Sequence, residues 1–427
     1  MAMRSAVAWP NGKAYLFFDD NTYSRYDMAT GRLEEARVAV VPRWPGLVGS
    51  PKPFVWWGFG KAYAFTGPTY ARYEDGTNGP EGVEAAYLPP NVPFTIAAQW
   101  AGMPLTWLAG IDAGVNWGTG KLYFFRGGEY VRYDVPTDRV DPTYPKQISG
   151  NWPGLFTDRI DAALYPGGRH AYFFRDEEYR RYDVDAERVD FSGRLASFAL
   201  DPTPGGGVTP ARMLTAGQAA AIVADLVARG RVSISGPAAP APGAHLVLNP
   251  ATIDGTRLTN MANPAAGITD NVDQRMVVVL DRLIAWLNAS EPAVSELLHM
   301  GIGHGVGPPN DCHNQGRALD LAGLSGTSQG APFKKMIDAD WGSLPARAGS
   351  AVRIDPSVDA LAHRLFLTAY TFGSYECESN AIGALNRYSP PSLGGAGFVI
   401  YPDYGGDATL RAQHRNHIHM QIGPTKA

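Results

Sequence analysis

Two short segments near the end of the chain concentrate side chains that can hold a metal ion. The first is Cys312-His313-Asn314-Gln315-Gly316-Arg317-Ala318-Leu319-Asp320-Leu321. The second is His414-Arg415-Asn416-His417-Ile418-His419-Met420-Gln421-Ile422. Of the nine histidines in the chain, four fall here. Any one histidine is more often a satisfied polar residue than a ligand, but the joint pattern is far less common. From His417 to Ile422 polar and apolar residues alternate. A strand would put His417 and His419 on one face and Ile418, Met420 and Ile422 in the core. In Ala318–Ala322, Asp320 faces away from Leu319 and Leu321 in the same manner. Two such strands side by side present two imidazoles and a carboxylate to one point. Three ligands of this kind plus an open water position is how catalytic zinc is held. Zinc then brings the pKa of water towards ~7 and polarises a carbonyl.

This joint pattern resembles the zinc D-Ala-D-Ala carboxypeptidase, lysostaphin and hedgehog group, whose marks are His-x6-Asp and a later His-x-His. His313 and Asp320 have that spacing, with the group's glycine at Gly316 and its alanine at Ala318. The likeness runs over roughly residues 270–422 and implies an α+β zinc peptidase-like domain. Carried over by position, it implies zinc on His313, Asp320 and His419. It implies His417 as the catalytic histidine that polarises water or steadies an oxyanion, with His414 assisting.

Three positions depart from the group. Asp311 stands where serine is common, and Asn416 where the carboxypeptidases often have a glutamate. The arginine that holds a substrate carboxylate falls near His304, which becomes the candidate substrate-binding residue. The departures weaken a strict carboxypeptidase reading, leave an endopeptidase or amidase-like hydrolase open, and favour the non-catalytic alternative given below. Glu376 and Glu378 are candidate replacement bases, against the plainer reading of surface carboxylates. Cys312 is expected to bridge to Cys377 and pin the loop, a ligand role or a buried thiol being the alternatives. Hedgehog members imply that this fold can keep zinc and lose catalysis. The alternative reading is therefore a non-catalytic binding or toxin-like protein with a metal-stabilised C-terminal domain.

The elements that must position these residues follow from local signals. Thr215 caps and Gly230 ends a helix over 215–229 with an apolar stripe of Ile222, Leu226 and Val227. A second helix is expected over 271–288, with Val278, Leu280, Ile284 and Leu287, and a strand over 295–303. Residues 201–210 are dense in Pro and Gly and are expected to be the linker between domains, while 236–243 reads as a long loop inside the second.

The first half is different in kind. Residues 12–27, 60–74, 120–134 and 168–183 each carry a glycine turn, Ala/Leu-Tyr-x-Phe, a polar turn, then Tyr-x-Arg-Tyr-Asp/Glu. The lead tyrosines Tyr15, Tyr63, Tyr123 and Tyr172 recur at about 50–60 residues, which suits propeller blades. Trp44, Trp100 and Trp152 fall late in a repeat, and Ile111-Asp112-Ala113 and Ile160-Asp161-Ala162 open one. The pattern resembles the hemopexin repeat over about residues 5–200. The resemblance implies four antiparallel blades around a narrow channel, a calcium or other ion there on main-chain oxygens, and a role in binding a protein or glycan surface. Repeats one and two open on Ser5-Ala6-Val7 and Pro53-Phe54-Val55 instead. Tyr23/Tyr26, Tyr70/Tyr73, Tyr130/Tyr133 and Tyr179/Tyr182 are expected between blades, and Arg25, Arg72, Arg132 and Arg181 at blade edges. His170, the one histidine of this half, argues against haem ligation.

At 427 residues the chain is too long for one core, and 45% hydrophobic with 18% charged residues makes it globular. The expected layout is multidomain: an all-β four-bladed propeller over 1–200, a linker over 201–210 and the zinc peptidase-like domain over 211–427. A net charge of −4 does not favour nucleic acid. No run of 18 apolar residues calls for a membrane span. Met1–Pro10 lacks the apolar core of a secretory signal, so the expectation is either the cytoplasm or release without a cleaved leader. The Ala, Gly, Pro and Arg bias points to a GC-rich bacterial genome. The expected activity is zinc-dependent hydrolysis of peptidoglycan or another peptide, located by the propeller. A propeller joined to a zinc peptidase resembles the layout of matrix metalloproteases, without their His-Glu-x-x-His, and is an analogy only.

Overall fold

The computed structural model describes residues 2–44, 46–74, 94–305, 307–342, 359–377, 399–403 and 408–423. The chain forms two compact units, Met1–Thr209 and Pro210–Ala427.

The first unit is four antiparallel sheets, each with its strands in chain order. Blade one is Met3–Trp9, Lys13–Phe18, Thr22–Asp27 and Leu33–Ala39. Blade two is Phe54–Gly58, Lys61–Thr66, Thr69–Glu74 and Phe94–Thr95. Blade three is Ala113–Asn116, Lys121–Arg126, Glu129–Asp134 and Arg139–Val140, with Lys146–Gln147 added beside its third strand. Blade four is Ala162–Leu164, His170–Arg175, Glu178–Asp183 and Arg188–Arg194. The first strand of each blade neighbours that of the next, and blade four returns to blade one, so the ring closes. Val7, Val55, Val115 and Leu164 from the four inner strands line the central channel. All four central hairpins share one register: Tyr15 opposes Arg25, Tyr63 opposes Arg72, Tyr123 opposes Arg132 and Tyr172 opposes Arg181.

The repeating tryptophans prove to be the pegs between blades. Trp44 lies 6.1 Å from Trp9 in blade one and 5.2 Å from Phe54 in blade two. Trp100 lies 5.5 Å from Trp57 and 5.3 Å from Phe124, joining blades two and three. Trp152 lies 5.7 Å from Phe125 and 5.6 Å from Phe173, joining three and four. The last junction has no tryptophan. Phe198 fills it, 5.4 Å from Tyr172 of blade four and 5.8 Å from Tyr26 of blade one. The paired tyrosines gather around these pegs, as expected. The four arginines, expected at blade edges, lie on the third strand of their blades, inside the sheet, and three of them reach an acid nine residues later: Arg25 to Glu34, Arg132 to Asp141 and Arg181 to Asp190. Arg72 lies over the Phe94 ring.

The opening aspartates have a local structural task. Asp112 accepts the Gly127 N–H at 2.9 Å and Asp161 accepts the Asp176 N–H at 2.8 Å, each tying the hairpin turn of its own blade. Residues 201–209, expected as linker, lie within the first unit. Thr203 N–H donates to Met28 O and the buried Thr209 hydroxyl to Pro10 O, so the stretch is fastened to blade one.

Among the described residues the second unit is one mixed nine-stranded sheet with helices. Its main path runs Val232–Ile234, Leu246–Ile253, Thr256–Asn260, Ala293–Ile302, Ala318–Ser328, Ile418–Gln421, Val399–Ile400. The strands Thr256–Asn260 and Ala293–Ile302 are parallel. The central helix Gln274–Leu287 packs against Ala216–Ala228, Ala360–Glu376 and the sheet, and ten of its residues are buried. The first helix has the expected ends: a capping box of Thr215 with Gln218, and Gly230 at φ +70°. The central helix begins at Gln274 rather than Asn271, because Thr269–Val272 is a strand paired with Leu246–Ile253 and Asp273 is the cap.

Two sequence expectations are corrected here. Cys312 and Cys377 are buried thiols and no disulfide joins them. Cys312 turns its sulfur towards Gln421, while Cys377 closes the helix Ala360–Glu376. Glu376 is neither a surface carboxylate nor a site base. It is 3% exposed, pairs with Arg282 at 2.9 Å and accepts the Ala211 N–H at 2.6 Å. Glu378 lies outside the described residues.

The pegs give a first prediction. Trp152→Ala removes a buried side chain shared by two blades and is expected to cost about 3–5 kcal/mol. Leu105→Ala, at an 87% exposed position, should stay within about 0.5 kcal/mol. Denaturant unfolding of both variants measures the difference.

Candidate metal centre

The strand Ala318–Ser328 lies between Ala293–Ile302 and Ile418–Gln421. Its pairing with the last strand sets Leu319 opposite Met420, Asp320 opposite His419 and Leu321 opposite Ile418. Leu319, Leu321, Ile418 and Met420 are all 0% exposed. Their burial on one face leaves Asp320 and His419 on the other, and a slip of one residue would bury the carboxylate.

His313 arrives from a loop pressed against the cap of the central helix. Gly316 stands at φ +69°, and a Cβ there would come 2.0 Å from Asn271 O. Its carbonyl accepts the Asp273 N–H, and Asn271 Nδ2 donates to Asn314 O at 2.8 Å. Asp311 accepts the His313 N–H at 3.0 Å, a turn that serine can also make.

Three imidazoles converge on one carboxylate. His419 Nδ1 is 2.7 Å from Asp320 Oδ1, His313 Nε2 is 3.3 Å from Oδ2, and His417 Nε2 is 3.4 Å from Oδ1. The outward nitrogens are anchored in two of them: His419 Nε2–H donates to Gln421 Oε1 at 3.0 Å, and His417 Nδ1–H to Asn416 Oδ1 at 2.8 Å. These bonds fix the nitrogen that each ring offers inward. His313 Nδ1 is buried without a partner among the described residues. The His414 ring lies 4.7 Å from His417 and 5.4 Å from His419. His304 does not join the cluster. Its side chain is exposed and turned to Asp270 at 3.0 Å.

The electrostatics follow from burial and mutual contact. Burial would raise the Asp320 pKa, but hydrogen bonds from His313 and His419 hold it well below the usual carboxylate value. Burial would lower His419, and Asp320 with Cys312 outweighs it and raises the imidazole well above its ordinary value. Burial dominates at His417 and pushes it down, so that ring is neutral near pH 7. One residue escaped the sequence reading. His299, on the neighbouring strand, is 1% exposed, has neither ring nitrogen hydrogen-bonded, and is pushed down to about 4, by burial first. Nothing in Glu296-Leu297-Leu298-His299 marks it in sequence, because its place beside Asp320 is set by sheet order.

Zinc fits this donor set. Two imidazole nitrogens and a carboxylate are its usual ligands, and tetrahedral bonds put their atoms about 3.3 Å apart. Within this hydrogen-bonded cluster His313 Nδ1 is the ring nitrogen left without a partner among the described residues, and three imidazoles share the one Asp320 carboxylate. In blade four, His170 meets Asp201 at 2.9 Å, and Arg169 and Arg181 already neutralise Asp183, Asp190 and Asp201.

The first unit is a hemopexin-like four-bladed propeller: the Hemopexin family model matches residues 111–155, which are blade three and its peg Trp152. Interstitial collagenase B of Mus musculus is 32% identical over 142 residues, 33% of this chain and 28% of that protein. Matrix metalloproteinase-21 of Mus musculus is 38% identical over 72 residues, 15% of this chain and 12% of that one. The matched segments thus span less than a third of either relative. A seed albumin from Lathyrus sativus is 21% identical with a TM-score of 0.39, covering 45% of this chain and 92% of that one. A Cicer arietinum albumin showing hemagglutination is 19% identical with a TM-score of 0.40, covering 46% and 95%. Among the described residues no helix is long and apolar enough to cross a membrane.

Gly316→Ala should destabilise the unit by more than about 1 kcal/mol, since the new Cβ meets backbone at a positive φ. In chelator-treated protein the Asp320 contribution is fully present above its unfolded value of 3.8, and falls away as pH drops through its lower folded value. The His419 contribution is present below 6.5 and lost only as pH rises through its higher folded value. Denaturant stability of wild type minus Asp320→Asn should therefore be largest between those limits and shrink below about pH 4.

Proposed function

We propose that this chain is a zinc-dependent peptide hydrolase whose propeller docks it on a protein or glycan surface. The observation that carries the reading is the convergence of His313, His417 and His419 on Asp320. His313, Asp320 and His419 would hold the ion. When bound, zinc supplies Lewis acidity, polarising a carbonyl and making water acidic near a pH of about 7.

The chain's own groups do the rest. Asn416 fixes the tautomer of His417, whose neutral Nε2 can then accept a proton from the attacking water and return it to the leaving amine. Gln421 orients His419 in the same way. His414, against the His417 ring, is placed to assist that proton transfer. The substrate class proposed is the cross-links or stem peptides of peptidoglycan, or another peptide. A channel ion such as calcium, on main-chain oxygens of the inner strands, belongs to the same proposal.

A second reading has observations of its own. His304 turns out to Asp270, and Asn416 stands in place of a carboxylate base. A metal-stabilised binding or toxin-like domain without catalysis would carry both features.

The test measures zinc content and hydrolysis together, on peptidoglycan and a mixed peptide library. Wild type should carry about one zinc per chain and cut a substrate. His313→Ala should lose both, and His417→Ala should keep zinc while losing about 10²–10⁴ of the rate. Zinc without cleavage would replace the hydrolase with the binding protein.

A further inference from the structure

Two donor sets share the imidazoles of His313 and His419. Asp320 completes one, at 2.7 and 3.3 Å. Cys312 completes the other: one donor atom from each of Cys312, His313 and His419 lies within 4.8 Å of the other two. The thiol is 2% exposed and not in a disulfide. Its sulfur is 3.6 Å from Gln421 Oε1, the oxygen that also takes His419 Nε2–H. The buried and unpartnered Nδ1 of His313 belongs to the adjoining residue. The loop holds the thiol in place, since Cys312 O accepts the Arg317 N–H at 2.8 Å. The sulfur also lies 4.0 Å from Asp311 Oδ1, which accepts the thiol hydrogen.

We propose that Cys312 is itself a metal ligand of this centre, adding a thiolate to His313 and His419. The proposal rests on the reading of the cluster as a zinc centre. A thiol that donates weakly to Gln421 Oε1 and Asp311 Oδ1 gains a stronger partner when its proton leaves to solvent and a sulfur–metal bond forms. A thiolate also tilts the set towards zinc and other soft cations, away from magnesium or calcium. A fourth protein ligand closes the sphere as in structural sites, which favours the metal-stabilised binding domain over the hydrolase of the two readings above.

Cobalt(II) is the probe. The chelator-treated full chain is titrated with cobalt chloride and its absorption recorded. One equivalent should produce a thiolate-to-cobalt charge-transfer band in the near ultraviolet, lost in Cys312→Ser and kept in Cys377→Ser. Visible cobalt bands without the charge-transfer band in wild type would overturn the thiolate ligand and leave the His313, Asp320 and His419 centre standing. A wild-type chain that binds no cobalt would overturn both. A band that survives Cys312→Ser and vanishes in Cys377→Ser would assign the sulfur elsewhere. The wild-type spectrum decides the first two outcomes, so poor folding of a variant does not blunt the test.

Discussion

The pairing of Asp320 with His419 across two antiparallel strands is the constraint on which the histidine–aspartate cluster depends. It is held less by the polar contact than by the face behind it. Leu319, Leu321, Ile418 and Met420 are fully buried there, and each such side chain contributes about 1.5–3 kcal/mol by leaving water. A shifted register would expose all of them together. The carboxylate and the imidazole therefore meet because the apolar residues between them have only one way to be buried. His313 is then brought to the pair by a loop that only glycine at position 316 lets approach the helix cap. The centre is an outcome of packing on one face and close backbone approach at one end.

The propeller follows a related logic with different side chains. Each blade alone is a small sheet with two apolar faces, and it becomes stable by pressing one face on the next blade. Trp44, Trp100 and Trp152 supply that contact at three junctions, in edge-to-face arrangements. The fourth junction must join the end of the chain's last blade to its first. Phe198 does so from the segment that leaves blade four, and residues 201–209 continue along blade one. Closure thus draws on residues outside any repeat.

The centre also has a depth that its four signature residues do not convey. Gln421 and Asn416 hold the outward nitrogens of His419 and His417, so each ring has one orientation. Glu376 does its work elsewhere, pairing with Arg282 of the central helix. That same helix provides, through Asp273 at its cap, one of the contacts that hold the His313 loop. Fold stability and site geometry are linked through this helix.

Local and periodic features were legible in the sequence. The four hairpins, the helix with its Thr215 cap and Gly230 end, and the alternation that sets His419 apart from Ile418 and Met420 all depend on neighbours within a few residues. So does the spacing of His313 and Asp320. What the sequence could not convey is which distant segments become neighbours. The state of Cys312 and Cys377, the burial of Glu376 and the outward turn of His304 depend on sheet order and helix packing. So do the place of His299 beside Asp320 and the closing role of Phe198. Alternation decides which face a side chain takes, whereas only the assembled sheet decides what stands opposite it.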